Sequence, residues 1–209
     1  MKSYVSVAVL ALVAIAPLAA QTPKGWKLRV DRSMAASDPD AAGDIKFVTN
    51  GPGFHATNPQ AAVYWNPANT ATGNYTLRAS FRLEKPSGHV NYYGLVFGGS
   101  GLEGAQQSYL YFVVAQDGTW LIKKRDGQST SNVTPKTPND IVVKPGADGK
   151  SINVLEVRVG ADKVDFVVNS NTVHSESKTG IMANTDGIYG IRINHLLEVQ
   201  VDGLGVSKN

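Results

Sequence analysis

The sequence predicts an all-β fold, two antiparallel sheets packed as a jelly-roll sandwich. Three observations carry this. Apolar residues recur at every second position, Gly, Asn, Asp and Pro clusters interrupt the runs, and no segment after Gln21 shows helical periodicity. Strands that cover one side of a sheet alternate in this way, because successive side chains point to opposite faces.

The clearest strand runs from Asn74 to Glu84. Tyr75, Leu77, Ala79, Phe81 and Leu83 share one face, and Thr76, Arg78, Ser80, Arg82 and Glu84 share the other. The same alternation sets Leu155, Val157 and Val159 against Glu156 and Arg158, and Val164, Phe166 and Val168 against Lys163, Asp165 and Val167. Near the end, Tyr189, Ile191 and Ile193 oppose Arg192 and Asn194, while Leu197, Val199 and Val201 oppose Glu198, Gln200 and Asp202. Shorter strands are expected at Trp26 to Val30, Ile45 to Thr49, Gly53 to Thr57, Ala62 to Trp65, Ile141 to Lys144 and Thr172 to Ser175.

Asp117-Gly118 lies between Tyr111-Phe112-Val113-Val114 and Trp120-Leu121-Ile122, a hairpin signal because Asp and Gly accept the positive φ of a tight turn. A two-residue turn would set Trp120 on one face with Tyr111, Val113, Ile122 and Lys124. A three-residue turn would group it with Leu110, Phe112 and Val114 in the core. Gln128 to Asn139 and Gly98 to Gln107 read as surface loops, and Ser33 to Gly43 as a connection.

The N-terminus places Lys2 before an apolar stretch from Val5 to Ala16 and then Pro17-Leu18-Ala19-Ala20, the grammar of a cleavable signal peptide over residues 1–20. Such a stretch is short for a bilayer-spanning helix, which needs roughly 20 apolar residues. Residues 21–209 then form one domain, long enough to bury roughly 70% of the surface of its unfolded chain. A secreted or periplasmic location follows, with no stable membrane insertion after signal removal. Cysteine is absent, so stability rests on the core and not on disulfides, a pattern commoner in bacterial envelopes than in animal secretion. The sequons Asn74-Tyr75-Thr76 and Asn132-Val133-Thr134 are then chance matches. A net charge of +3, with Lys123-Lys124-Arg125 as the tightest basic cluster, gives no nucleic-acid footprint.

From Tyr92 onward the order of segments resembles the concanavalin A-like lectin/glucanase superfamily, and within it the laminin G-like and 3-keto-disaccharide-hydrolase-like branch. The residues that carry the resemblance are Tyr93-Gly94-Leu95-Val96-Phe97-Gly98, Tyr109 to Val114, and Asp117-Gly118-Thr119-Trp120-Leu121-Ile122. Asn153 to Val159, Asp165 to Asn169, Gly187 to Ile191 and Val199 to Leu204 follow in order. The resemblance implies a concanavalin A-like sandwich that recognises or cleaves glycans. It also suggests a calcium ion as the one cofactor to consider, with Asp38, Asp40, Asp44 and Asp202 as oxygen donors; otherwise no cofactor is expected. The Glu-x-Asp-x-x-Glu motif of the family 16 glucanases is missing.

Glycoside hydrolysis usually needs two carboxyl groups about 5 to 10 Å apart. The nearest imitation, Glu198, Gln200 and Asp202, reads as the polar side of a half-buried strand. His55, His89, His174 and His195 show no metal-ligand spacing, and nucleophile-elbow and phosphate-loop signatures are absent. Aromatic platforms beside planar polar groups are what a sugar site requires. Tyr92, Tyr109, Tyr111 and Trp120, on adjacent strands, together with the outward Arg78 and Arg82, are therefore the candidate ligand-binding residues. The two arginines could instead pair with Glu156, Asp165 or Glu198; Tyr64 and Trp65 could line a rim or close the core. The sequence thus points to an exported, non-catalytic module that binds a carbohydrate or cell-envelope glycan. The alternatives are an exported glycan-processing hydrolase and a structural envelope protein.

Overall fold

The computed structural model describes residues 22–32 and 37–209. The expected signal peptide lies outside these residues, as does part of the expected connection over 33–43. In chain order the first strands are β1 (Lys27–Val30), β2 (Lys46–Asn50), β3 (Gly53–Asn58), β4 (Ala62–Ala71), β5 (Tyr75–Lys85), β6 (Tyr92–Ser100) and β7 (Ser108–Ala115). The second half contributes β8 (Thr119–Asp126), β9 (Ser129–Pro138), β10 (Ser151–Val159), β11 (Lys163–Val168), β12 (Asn171–Ser177), β13 (Gly187–Ile193) and β14 (Leu197–Lys208). No helix among the described residues is long and apolar enough to cross a membrane.

These strands build two seven-stranded antiparallel sheets, a front sheet β1-β4-β13-β6-β7-β8-β9 and a back sheet β12-β11-β10-β5-β14-β3-β2. Consecutive strands β5 and β6 sit in different sheets, as do β13 and β14, so the chain crosses repeatedly between the layers. Such interleaving makes a jelly-roll sandwich rather than two separate meanders.

The predicted faces of β5 hold. Tyr75, Leu77, Ala79, Phe81 and Leu83 are fully buried, and Arg78 and Arg82 point to solvent. From the front sheet, Tyr93, Leu95, Phe97, Leu110, Phe112 and Val114 meet them in one core. Phe166 joins the layers, its ring 5.2 Å from Phe112 and 6.1 Å from Phe97. Each such side chain contributes about 1.5–3 kcal/mol on leaving water.

Several local expectations need correction. Gln128 to Asn139 is not a loop but holds β9, the edge of the front sheet. Its Ser, Thr, Asn and Pro content is edge-strand chemistry: most of its side chains face water, and Pro is tolerated where no neighbour needs an N–H. Gly98 to Gln107 begins as the end of β6, and the rest folds inward to bury Leu102 and Gln107. Ile141 to Lys144 is not a strand. Its backbone is satisfied instead by buried Asn153, which accepts from Val143 N at 2.8 Å and donates to Val143 O at 3.0 Å. Asn169 donates to Ile141 O at 2.8 Å.

The hairpin takes the three-residue turn. Gly118, at φ +84°, donates its N–H to Ala115 O, and Val114 lies opposite Trp120. Trp120 therefore points into the core, 3% exposed.

Candidate functional site

A sandwich sheet normally shows water a polar outer face, and the back sheet does so. The front sheet does not. Alternation sends Tyr109, Tyr111 and Val113 of β7 outward, with Leu121 of β8, Val96 of β6, and Val63 and Trp65 of β4. Together with Leu102 they form a second buried cluster outside the main core, with Tyr92 and Ile188 packed against it. The 101–107 loop covers part of this cluster. It is tied to β1 by the Lys27–Glu103 ion pair at 2.6 Å and by a hydrogen bond from Arg29 to Gly104 O. The remainder opens as a groove.

At the groove's centre lies Arg192 of β13, opposite Gly94 of β6 and Val63 of β4 in the register. A Cβ at Gly94 would fall 2.2 Å from Phe112 O, so this tight crossing of β6 and β7 requires glycine. The Arg192 guanidinium donates to Asp31 Oδ2 and, at 3.0 Å, to Tyr109 Oη. It also rests 5.3 Å from the centre of the Tyr111 ring, a cation–π contact. Tyr109 in turn donates to Asp31 at 3.2 Å, and Arg29 approaches the other Asp31 oxygen at 3.9 Å. Burial alone would raise the Asp31 carboxyl, but Arg192, with Arg125 behind it, holds it below the ordinary carboxylate value. Burial pushes the Tyr109 phenol up to about 12 against the pull of Arg192, and it raises Tyr111 too. The network is thus a fixed pairing of anion and cation with neutral phenols at neutral pH. A carboxyl lowered below its ordinary value makes a poor general acid.

Two cavities flank Arg192. The larger, of about 530 Å³, runs from Arg29, Asp31 and Arg125 to Asp38, Asp40 and His195. The smaller, of about 300 Å³, shares Arg125, Arg192 and Asn194 with it and is walled by Tyr92, Tyr111 and Lys123.

At the far end of the larger cavity three segments meet. The approach to β2 brings Asp38 and Asp40, the β5–β6 connection brings His89, and the β13–β14 turn brings His195. His195 Nε2 and His89 Nε2 are 3.1 Å apart, and each approaches Asp38 Oδ1, at 3.0 and 2.6 Å. His195 Nδ1 lies 2.8 Å from Asp40 Oδ1. The turn is held by Asn194 N donating to Tyr92 O and Leu196 N to Asn58 O, and Leu196 takes the left-handed region at φ +59°. A non-glycine residue there costs of order 1–3 kcal/mol and persists only where its surroundings fix it.

The fold has solved counterparts. The carbohydrate-binding module CBM66 from Bacillus subtilis superposes with a TM-score of 0.60 at 11% identity, covering 88% of this chain and 96% of its own. The GH16 of the mixed linkage glucan PUL of Bacteroides ovatus, solved with a G4G4G3G product, gives 0.60 at 9% identity, covering 90% and 97%. A putative glycosyl hydrolase from Parabacteroides distasonis gives 0.53 at 13% identity, covering 90% of each chain. The chain has the concanavalin A-like sandwich fold. No protein-family model matches its sequence, and no curated protein does.

Within the concanavalin A-like sandwich the six expected site residues divide three ways. Tyr92, Tyr109 and Tyr111 share the outer face of the front sheet. Trp120, grouped with them as ligand-binding, is a core residue, its ring 6.3 Å from Phe112 and 5.7 Å from His174. Arg78 and Arg82 lie on the outer face of the opposite sheet, paired with Glu156 at 3.4 Å and with Glu84; they do not join the tyrosines. The four carboxylates suggested for calcium are also dispersed. Asp38 and Asp40 face imidazoles, Asp44 lines a separate cavity beside Lys85 and Glu198, and Asp202 accepts from Gln200 on β14.

Sequence reasoning missed Arg192, Arg125, Asp31 and the histidine pair. The outward phase of Arg192 was legible, but the burial of that face was not. His89 and His195 stand 106 positions apart, so no spacing rule could join them.

Proposed function

We propose that this protein is an exported, non-catalytic carbohydrate-binding module whose ligand lies in the outer groove of the front sheet. The observation that carries the reading is the groove beside Arg192, which Tyr92, Tyr111, Lys123 and Arg125 line together; Tyr92 is its half-buried ring, while Tyr111 is 6% exposed with Arg192 over its face. Aromatic faces accept the C–H side of a sugar ring, and planar donors bind its oxygens. A carbohydrate-binding module among the structural counterparts supports the same reading.

Charge sharpens the class of ligand. The smaller cavity is lined by Lys123, Arg125 and Arg192 with no carboxylate, which favours a glycan bearing uronate groups over a neutral one. Binding should then weaken as salt rises, since the Debye length shrinks to about 8 Å at physiological ionic strength. The non-catalytic part rests on the carboxyl groups. No glutamate lines either cavity among the described residues; of the three aspartates in the larger one, Asp31 is paired with Arg192, and Asp38 and Asp40 face imidazoles. The test is a panel of acidic and neutral polysaccharides assayed for binding and for released reducing sugar. Binding without release is expected; release that follows one carboxylate on substitution would replace this reading with a hydrolase.

A further inference from the structure

We propose that Asp38, His89 and His195 form a binding site for a divalent first-row transition metal of the Zn²⁺ class. The inference stands on the geometry of these side chains and does not depend on the glycan reading.

Three donor atoms converge, two imidazole Nε2 atoms and one carboxylate oxygen, on edges of 2.6, 3.0 and 3.1 Å. The circle through such a triangle has a radius of about 1.7 Å, shorter than the roughly 2.0–2.2 Å bonds that Zn²⁺ makes to nitrogen and carboxylate oxygen. A point at bonding distance from all three atoms therefore exists just outside their plane. Hydrogen bonding explains the cluster only in part: Asn91 Nδ2 lies 3.1 Å from His89 Nε2 and donates to it, a bond that a metal on this nitrogen would displace. Asp38 Oδ1 is itself closed to solvent, and the two imidazole nitrogens beside it at 2.6 and 3.0 Å do not meet it in hydrogen-bond geometry. Two imidazole nitrogens 3.1 Å apart satisfy one another through at most one proton, whereas a cation satisfies all three atoms together.

The surroundings are those of a metal ligand. Asp40 Oδ1 receives His195 Nδ1 at 2.8 Å. Donation from Nδ1–H fixes the tautomer whose Nε2 lone pair points to the cluster, the carboxylate–histidine–metal relay of zinc proteins. His195 is 3% exposed, so its ring is held in place. The strained Leu196 follows it directly. A donor set of two nitrogens and one oxygen suits Zn²⁺, Co²⁺, Ni²⁺ or Fe²⁺, not Ca²⁺, which takes six to eight oxygens. Three protein ligands leave coordination positions open, the arrangement of sites that bind a further ligand rather than of closed structural sites. Asp38, Asp40 and His195 line the larger cavity, so water or a ligand oxygen has access.

The experiment uses untagged protein dialysed against chelator, then titrated with Zn²⁺ by calorimetry and with Co²⁺ by visible absorption, with no glycan present. One equivalent of each should bind saturably, and the Co²⁺ complex should show the d–d bands of a low-coordinate site. His89→Ala, at a side chain 44% exposed and so tolerant of change, should abolish saturable binding while the circular dichroism spectrum and Tm stay those of the metal-free parent. Asp40→Asn should weaken binding about 10- to 100-fold. His55→Ala and His174→Ala, at histidines paired with Glu198 and Glu176, should leave it unchanged. Absence of saturable binding in the folded parent, or equal affinity in His89→Ala, overturns the proposal. Failure to bind any glycan leaves it standing, since metal binding is read alone.

Discussion

Asp31→Asn keeps the shape of the side chain and removes its charge, leaving the Arg192 guanidinium in place without its anion. The side chains of Asp31 and Arg192 are 7% and 12% exposed, so water reaches neither freely. Breaking a buried ion pair by removing one partner costs about 3–5 kcal/mol. Arg192 keeps Tyr109 Oη at 3.0 Å and the Tyr111 ring at 5.3 Å, and it borders a cavity open to solvent, so the low end, about 3 kcal/mol, is expected. For a domain of this size each kcal/mol moves Tm by about 2–4 °C, which gives a fall of about 6–12 °C by thermal circular dichroism at pH 7. The acid limb supplies an independent check. The Asp31 carboxyl lies below its ordinary 3.8 in the folded state. Its contribution is therefore present above that value and is lost as pH falls through the folded value. The stability gap between parent and variant should begin to narrow as pH falls below about 4, and the Asp31→Asn, Arg192→Met double variant should recover part of the loss at pH 7. A fall in Tm under 2 °C, or parallel stability curves from pH 7 to pH 3, would refute the view that this pair fixes the groove.

Further outcomes follow from the packing. Trp120→Ala should cost about 3–5 kcal/mol in urea unfolding, the cost of emptying a core aromatic site, since Trp120 packs with Phe112 and His174; a loss of ligand affinity at unchanged stability would return it to the surface. Asn153→Ala strips Val143 N–H and C=O of their partners and should cost about 2–3 kcal/mol by the same assay, with faster amide exchange at Val143; a change under 0.5 kcal/mol would show water substituting freely. Export is read by expressing the chain with its own N-terminus in a bacterial host and sequencing the mature product. Cleavage after Ala20 is expected, and an intact N-terminus in the cytoplasm would contradict it.

What was legible in the chain and what was not divide along physical lines. β5 could be read outright, since its alternation between Tyr75 and Leu83 is strict and both of its faces have simple environments. β9 could not. An edge strand buries little, so its sequence is chosen for solubility and its Ser, Thr and Pro residues look like a loop. Ile141 to Lys144 misled for the opposite reason. It is apolar because Val142 fills the core, yet its backbone bonds go to Asn153 and Asn169, residues only the fold brings close. The turn at Asp117-Gly118 fixed a hairpin but not its length, and one residue of length decides which face Trp120 takes. Of the site, the tyrosines were found because alternation phases them together. Asp31, Arg192 and the His89–His195 pair were not, because only the fold brings them together: β1 and β13 flank β4, which sets Asp31 near Arg192, and the pairing of β6 with β13 brings the loop of His89 to the turn of His195.

A glycan groove on the front sheet is read out by calorimetric titration of the mature domain with a polyuronate at low salt. Tyr92→Ala and Arg125→Ala are compared with Arg82→Ala on the opposite sheet. Saturable binding to the parent is expected, with at least tenfold weaker binding in the first two variants, as for residues that carry binding energy, and parent affinity in Arg82→Ala. Equal affinity in all four proteins, or loss on Arg82→Ala alone, would place the ligand elsewhere and contradict a front-sheet groove.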